Sequence, residues 1–249
     1  MKVTLLSHTP DPEKVIATAA KLCYSSSDIE TLHDGLDDEK TTKFINMLME
    51  LGHESPIEHV SFTFGIEGIS RACSLQLVRH RIASYSQKSQ RYVNENQFDY
   101  ITPPSIEAYK DLSILYDDAM DQIQRVYDEL REKLKNIHID NDGMEERDAE
   151  KKANEDARYV LPNACETKIV VTMNIRSLFN FFKHRCCNRA QWEIREVANE
   201  MLKICYDIAP NIFKYAGPDC VAKGKCGEGK MSCGKYNEVH DFFMNVIYR

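Results

Sequence analysis

The stretch Lys168-Ile169-Val170-Val171-Thr172-Met173-Asn174-Ile175 decides the fold. Ile169, Val171, Met173 and Ile175 alternate with Lys168, Val170, Thr172 and Asn174, the period of a strand with one buried face. The pattern then changes period, and Arg176 to about Cys187 reads as a helix. Upstream, Val60, Phe62, Phe64 and Ile66 alternate with Ser61, Thr63, Gly65 and Glu67, a second strand that Gly68 is expected to end. Ser70 then caps a short helix through Val78. A polar stretch without clear period follows, from Arg81 to Asn96.

Most of the remaining periodicity is helical. Asp11-Pro12 reads as an N-cap followed by proline at the first helical position, with Val15, Ile16, Ala19 and Cys23 on one apolar face. Ser25 to Gly35 reads as a polar loop, and Asp38 to Leu51 as a helix stopped by Gly52. A long helix is expected from Ser105 to about Asn136, its buried stripe being Leu112, Leu115, Ala119, Ile123, Val126, Leu130 and Leu134. Asn141-Asp142-Gly143 is a turn. Ala149, Ala153, Ala157 and Val160 mark another helix, ending before Pro162. Ala190 to Ile208 marks the last, with Ile194, Val197, Met201, Cys205 and Ile208 inward. Few strands, long helices and no βαβ series give an α+β class: a small antiparallel or mixed sheet flanked by long helices. The expected organisation is one domain over residues 1–216 and a Gly/Cys/Lys-rich C-terminal extension over 217–249, irregular from Gly217 to Gly234.

With 43% apolar and 29% charged residues in 249, a folded soluble globule is the expectation. No run reaches the roughly 20 apolar residues of a membrane span, and the N-terminus lacks a signal-peptide core. The expected compartment is the cytoplasm. A net charge of -7 speaks against a protein that coats nucleic acid, so local basic clusters point to pockets for small anions. Six of the nine cysteines are scattered and read as buried hydrophobes, while Cys220, Cys226 and Cys233 gather near the end. Those three thiols read either as metal ligands wanting a fourth partner or as redox-labile groups, and no metal site is assigned to them.

The densest polar constellation runs from Gln76 through Arg79-His80-Arg81, Ser84 and Ser89 to Arg91. Guanidinium groups so close together repel unless an anion sits among them, and their fork suits phosphate. If the helix reaches His80, Gln76, Arg79 and His80 share a face. The plain alternative is a solvated basic surface. A second cluster holds Asn174, Arg176, Asn180, His184, Arg185 and Arg189, with Arg176, Asn180 and His184 on one helix face. It reads either as a grip for a heterocycle and its phosphates or as a wet helix side. His53-Glu54-Ser55-Pro56-Ile57-Glu58-His59 fits no zinc spacing and reads as a polar turn presenting groups to a ligand. No GxGxxG or Walker sequence is present, which removes the common phosphate cradles. No cysteine or serine stands in a recognisable nucleophile arrangement.

Arg79-His80-Arg81 with Ser84, Ser89 and Arg91 resembles the signature of the flavin-dependent thymidylate synthase family. The resemblance extends over roughly residues 45 to 210, through His53-Glu54-Ser55-Pro56, Glu58-His59, Gln76, Ala157-Arg158, Leu161-Pro162, Asn174 to Asn180, Arg185 and Ala190-Gln191-Trp192-Glu193-Ile194. It implies reductive methylation of dUMP to dTMP, with 5,10-methylenetetrahydrofolate as one-carbon donor, reduced FAD as hydride donor and NADPH re-reducing the flavin. It also implies the fold of the thymidylate synthase complementing proteins and a homotetramer with active sites between subunits. Ser55, Glu58, Arg79, His80, Arg81, Gln87, Asn174, Arg176 and Asn180 would meet FAD. Gln76, Leu77, Val78, Arg79, Gln87, Lys88, Ser89, Gln90, Arg91, Arg158 and Arg185 would meet the nucleotide. Arg185 would activate the uracil electrostatically, with His53 near flavin and folate. Ser86, Gln87 and Arg189 depart from the family's usual residues, which puts an acid–base role at 87 and a flavin contact at 189 in question. The competing class, a nucleotide- or RNA-binding module without catalysis, uses the same arginines but sits badly with the acidic balance.

Overall fold

The computed structural model describes residues 1–92, 95 and 97–249; Val93, Asn94 and Asn96, within the polar stretch read at 81–96, lie outside the described residues. In chain order the elements are β1 (Lys2–His8), α1 (Pro12–Leu22), α2 (Ile29–Asp34), α3 (Asp38–Glu50), β2 (Ser61–Ser70), α4 (Arg71–Leu77) and β3 (Ser84–Gln87). There follow α5 (Pro104–Glu107), α6 (Lys110–Asp140), α7 (Glu146–Ala157), β4 (Glu166–Asn174), α8 (Ile175–Arg185) and α9 (Trp192–Ile208). The chain finishes with α10 (Pro210–Phe213), α11 (Asp219–Ala222) and α12 (Tyr236–Phe242), the last continued by a π-turn over Phe243–Ile247. The four strands form one antiparallel sheet in the order β1-β2-β4-β3, and the class is α+β.

The register of β2 against β4 can be read from side chains. The Thr63 and Thr172 hydroxyls meet at 2.9 Å, and Ile175 N–H donates to the Val60 carbonyl at 2.9 Å. With that register, Phe62, Phe64 and Ile66 on β2 and Ile169, Val171 and Met173 on β4 are all buried, as the alternation requires. Gly68 does not end β2. It takes φ 68 inside the strand, its N–H donating to the Glu166 carboxylate at 2.9 Å, and pairing runs on to Ser70.

The chain divides into two compact units. The first comprises Met1–Ile66, Leu77–Tyr85 and Val170–Arg249. Its core gathers Phe62, Phe181, Phe182 and Phe213, with Phe213 edge-on to Phe62 at 5.5 Å, beside the inward face of α9 at Ile194, Val197, Ala198, Met201, Leu202 and Cys205. Ile208 is only partly buried. α1 buries Ile16, Ala17 and Ala20 rather than Cys23, which is exposed. Asp11 precedes α1 in the left-handed region and makes no side-chain cap. The expected loop at 25–35 contains α2, capped by Asp28 accepting from Thr31 N–H at 2.8 Å. α3 closes in a Schellman pattern: Gly52 takes φ 72, its N–H donates to Met49, and His53 N–H donates to Leu48. Past Gly217 the chain is more regular than expected, and Val239, Phe243 and Ile247 are buried.

The second unit comprises Glu67–Gln76 and Ser86–Ile169. Here α6 packs on α7, which buries Ala149, Ala153 and Ala157, and Phe98, Met120 and Cys165 make a small core. The expected stripe on α6 holds in part: Ala119 and Ile123 pack against that core and Leu134 is partly buried. The buried residues of α6 are Met120, Tyr127 and His138, while Leu112, Leu115, Val126 and Leu130 remain 41%, 68%, 41% and 37% exposed. The periodicity thus marked both residues that pack on the core and residues that the described chain leaves exposed.

Candidate active site

Arg185 closes α8, and its Nε–H donates to Nε2 of His80 at 3.1 Å. His80 does not ride on α4, which stops at Leu77, so the expected shared face of Gln76, Arg79 and His80 does not form. Instead residues 78–80 turn back, and the Tyr85 hydroxyl ties the turn by bonding the carbonyls of Leu77 at 2.9 Å and His80 at 2.8 Å. The His80 ring stands edge-on to Phe181 at 4.9 Å. Burial first, then the charges of Arg185 and His184, push its pKa down to about 4. His80 is therefore neutral at physiological pH, with Nε2 the acceptor and the proton on Nδ1.

Around this pair lies a cavity of about 1060 Å³ in the first unit. Glu58, Arg79, His80, Arg81, Asn174, Arg176, Asn180 and Arg185, eight residues singled out in the sequence, line it. Six cations (Arg79, Arg81, Arg176, Lys183, Arg185, Lys223) face three carboxylates (Glu54, Glu58, Asp219), so the wall carries an excess of positive charge. Asn174 is set by two demands: it ends β4 and caps α8, its Oδ1 accepting from Ser177 N–H at 2.8 Å. Arg176 is ion-paired to Glu58 and lies 3.4 Å from Glu54. Glu58 thus holds a cation, and the short turn Pro56–His59 is the device that presents it. His53 and Ser55 are exposed on the same segment and do not line the cavity. Arg189 is ion-paired with Glu228, which occupies the position where a flavin contact was in question.

The residues expected at the nucleotide lie mainly in the second unit. Gln87 donates from Nε2 to the Ser74 hydroxyl at 2.8 Å and to Thr167 Oγ1 at 3.3 Å, a neutral anchoring role. Lys88 pairs with the buried Glu95 at 2.9 Å. Ser89 accepts from Arg91 N–H at 3.2 Å, and Gln90 reaches the Cys165 sulfur at 3.5 Å. Glu155 gathers two arginines: its carboxylate lies 2.9 Å from Arg91 Nε, and its carbonyl accepts from Arg158 Nε–H at 3.1 Å. In the first unit, Leu77 is fully buried and its carbonyl is taken by the Tyr85 hydroxyl and His80 N–H, while Val78 follows half-buried in the turn.

Sequence reasoning missed the far wall. Lys183, Tyr215, Ala216, Gly217, Asp219, Ala222 and Lys223 line the cavity too, and all but Lys183 come from a segment without periodicity. Gly217 is the one legible sign: at φ 112, with a hypothetical Cβ 2.9 Å from Phe243, no other residue fits there.

Residues 4–211 match the family described as thymidylate synthase complementing protein. The chain is 58% identical over 244 residues to a flavin-dependent thymidylate synthase of Clostridium tetani, covering 98% of this chain and 97% of that one. It is 50% identical over 248 residues to that of Geobacter sulfurreducens, with 99% of both chains covered, and 38% identical over 260 residues to that of Pyrococcus abyssi, covering 99% and 98%. With a cationic cavity built from Arg79-His80-Arg81 and Arg185, and with matches spanning nearly its whole length, the chain belongs to the flavin-dependent thymidylate synthase family.

Proposed function

We propose that this chain forms dTMP from dUMP with 5,10-methylenetetrahydrofolate as one-carbon donor, and that NADPH renews its reduced flavin. Its family membership makes it a thymidylate synthase that uses a flavin and dUMP. The observation that carries the reading is the cationic cavity around the Arg185–His80 pair. The wall fits FAD chemically: Arg79, Arg81 and Arg176 suit its pyrophosphate, and Asn174 and Asn180 suit the edge of its ring. Reduced FAD, when bound, supplies the hydride.

What the chain's own residues contribute is binding and charge. Arg185 brings a guanidinium, a planar positive charge with several N–H donors. Beside a uracil ring, that charge stabilises negative charge developing on the ring when it attacks the one-carbon unit. Neutral His80 accepts from Arg185 Nε and fixes the plane of the guanidinium without adding a competing cation. Arg91 and Arg158, brought to one carboxylate-bearing residue by Glu155, are the candidates for the dUMP phosphate, with Gln76, Lys88, Ser89 and Gln90 around them. His53 is retained as a candidate at flavin and folate. Assembly as a homotetramer with shared sites, in the cytoplasm, completes the proposal. The uncovered apolar stripe of α6 supports assembly.

The test uses purified chain loaded with FAD and given NADPH, methylenetetrahydrofolate and dUMP tritiated at C5. The expected result is a yellow protein whose flavin is bleached by NADPH, with tritium released only when folate and dUMP are both present. A folded preparation that takes up no FAD, or a loaded one that releases no tritium, overturns the reading.

A further inference from the structure

Among the described residues no helix or strand lies between β3 and α5, so Ser89, Gln90 and Arg91 depend on side chains for their placement. The anchor before them is Lys88. Its N–H donates to the Lys168 carbonyl of β4 at 2.9 Å, and its own carbonyl accepts from the Arg71 guanidinium at 3.4 Å. Its ammonium turns inward and donates to the Glu95 carboxylate at 2.9 Å. The anchor after them is Glu95, which is buried. Its N–H donates to the hydroxyl of the fully buried Tyr127 at 3.5 Å, and its carbonyl accepts from Gln124 Nε2 at 3.0 Å. The other end of the same Gln124 amide, Oε1, accepts from Phe98 N–H at 2.9 Å. One side chain of α6 thus bonds the main chain at two points, as a neighbouring strand would. Gln124 is itself steadied by Asp128, whose carboxylate accepts from Nε2 at 3.1 Å. All of these residues belong to the second unit.

We propose that Glu95 and Gln124 are positioning residues for dUMP, holding Ser89, Gln90 and Arg91 in the arrangement that meets the nucleotide; this rests on the reading of that segment as a nucleotide site. A buried carboxylate is costly unless a cation meets it, and Lys88 meets this one. The pair fixes Lys88 in turn, because swinging its ammonium out to a phosphate would strand Glu95. Lys88 therefore acts through its place in the chain, and the charge offered to the phosphate comes from Arg91 and Arg158. Arg91 is held from its other side by Glu155, 2.9 Å from its Nε, so the short segment is tied at both ends. Ser89 adds a local brace, its hydroxyl accepting from Arg91 N–H at 3.2 Å. A segment tied before the ligand arrives has less ordering left to do on binding. The clamp thus acts on nucleotide affinity and not on the chemical step.

The test uses the full chain loaded with FAD, with dUMP affinity read by equilibrium dialysis and KM and kcat by tritium release. Glu95→Leu and Gln124→Met should each raise the dUMP Kd and KM about tenfold, with kcat at saturating dUMP and the FAD Kd within about twofold of the parent. Glu95→Gln, which keeps an acceptor for Lys88, should stay within about threefold of the parent. Gln124→Met, made on the helix, reads the clamp by itself if Glu95→Leu shows no cooperative melting transition. A general loss of structure would lower FAD affinity together with dUMP affinity, and that result overturns the proposal. So does unchanged dUMP affinity in a folded Gln124→Met chain, and so does a Glu95→Gln chain as weak as Glu95→Leu. A parent that binds FAD but no dUMP removes the nucleotide reading, and the clamp falls with it; the other failures strike the clamp alone.

Discussion

At the scale of the residue, the pairing of Arg185 with His80 joins positions 105 apart. The Arg79-His80-Arg81 cluster was legible because charge packed so densely needs an anion. Arg185 was legible as a member of the second cluster, its role at the uracil only through the family resemblance, and its bond to His80 not at all, since nothing local links the two. Truncating Arg185 to alanine should lower turnover by about 10² to 10³-fold, the loss typical of one preorganised donor at developing charge. Tritium release against equilibrium dUMP binding measures it, and undiminished turnover would refute the activating role. His80 sets a pH dependence of stability. Its folded pKa of about 4 lies below the ordinary 6.5, so the folded state binds its proton less readily than the unfolded state. Its contribution is therefore fully favourable above about pH 6.5 and is lost as pH falls toward about 4. His80→Gln keeps an acceptor but cannot titrate. Urea midpoints taken across that window should flatten relative to the parent, and an unchanged slope would remove His80 as the source.

At the scale of the element, what was legible had one clean period. β4, with the inward set Ile169, Val171 and Met173, and α7, with its alanines, were read directly. β1 and β3, the outer strands of the sheet, were not read as strands. β3, Ser84–Gln87, is short and polar, half-open on alternate residues, so its pairing leaves little mark on composition. Gly68 misled because glycine punctuates strands, whereas here a neighbouring carboxylate satisfies its amide and the ladder continues. Ser70, by contrast, was read correctly. It is buried, and its hydroxyl accepts from Cys73 N–H at 3.0 Å at the start of α4. Ser70→Ala should cost about 1 kcal/mol of stability, the usual value of a lost N-cap. Chemical denaturation at pH 7 reads this, and a variant as stable as its parent would show that α4 starts without the cap's help.

At the scale of the whole molecule, the exposed part of the α6 stripe carries more information than the part that packs inward. A stripe at Leu112, Leu115, Val126 and Leu130 has the spacing of a packing face, yet in the single chain it faces outward. Periodicity reports that a face is meant to be covered and is silent on which chain covers it. The homotetramer entered only with the family resemblance, and this stripe is the physical reason to take it seriously, because leucines exposed in a row are expensive to leave in water. Burying one such side chain against a partner is worth roughly 1.5–3 kcal/mol, and a symmetric assembly repeats each contact in every subunit. Leu115, 68% exposed, is the sharpest probe, since glutamate there leaves the folded chain's own core untouched. Leu115→Glu should shift the mass measured by light scattering from a tetramer toward smaller species, with the melting transition of the dissociated chain still cooperative. If sites are shared between subunits, activity falls with the assembly. A variant that stays tetrameric would mean that α6 meets no subunit through this stripe. A parent that is already monomeric at micromolar concentration would remove the assembly altogether and, with it, the need for any site to be shared.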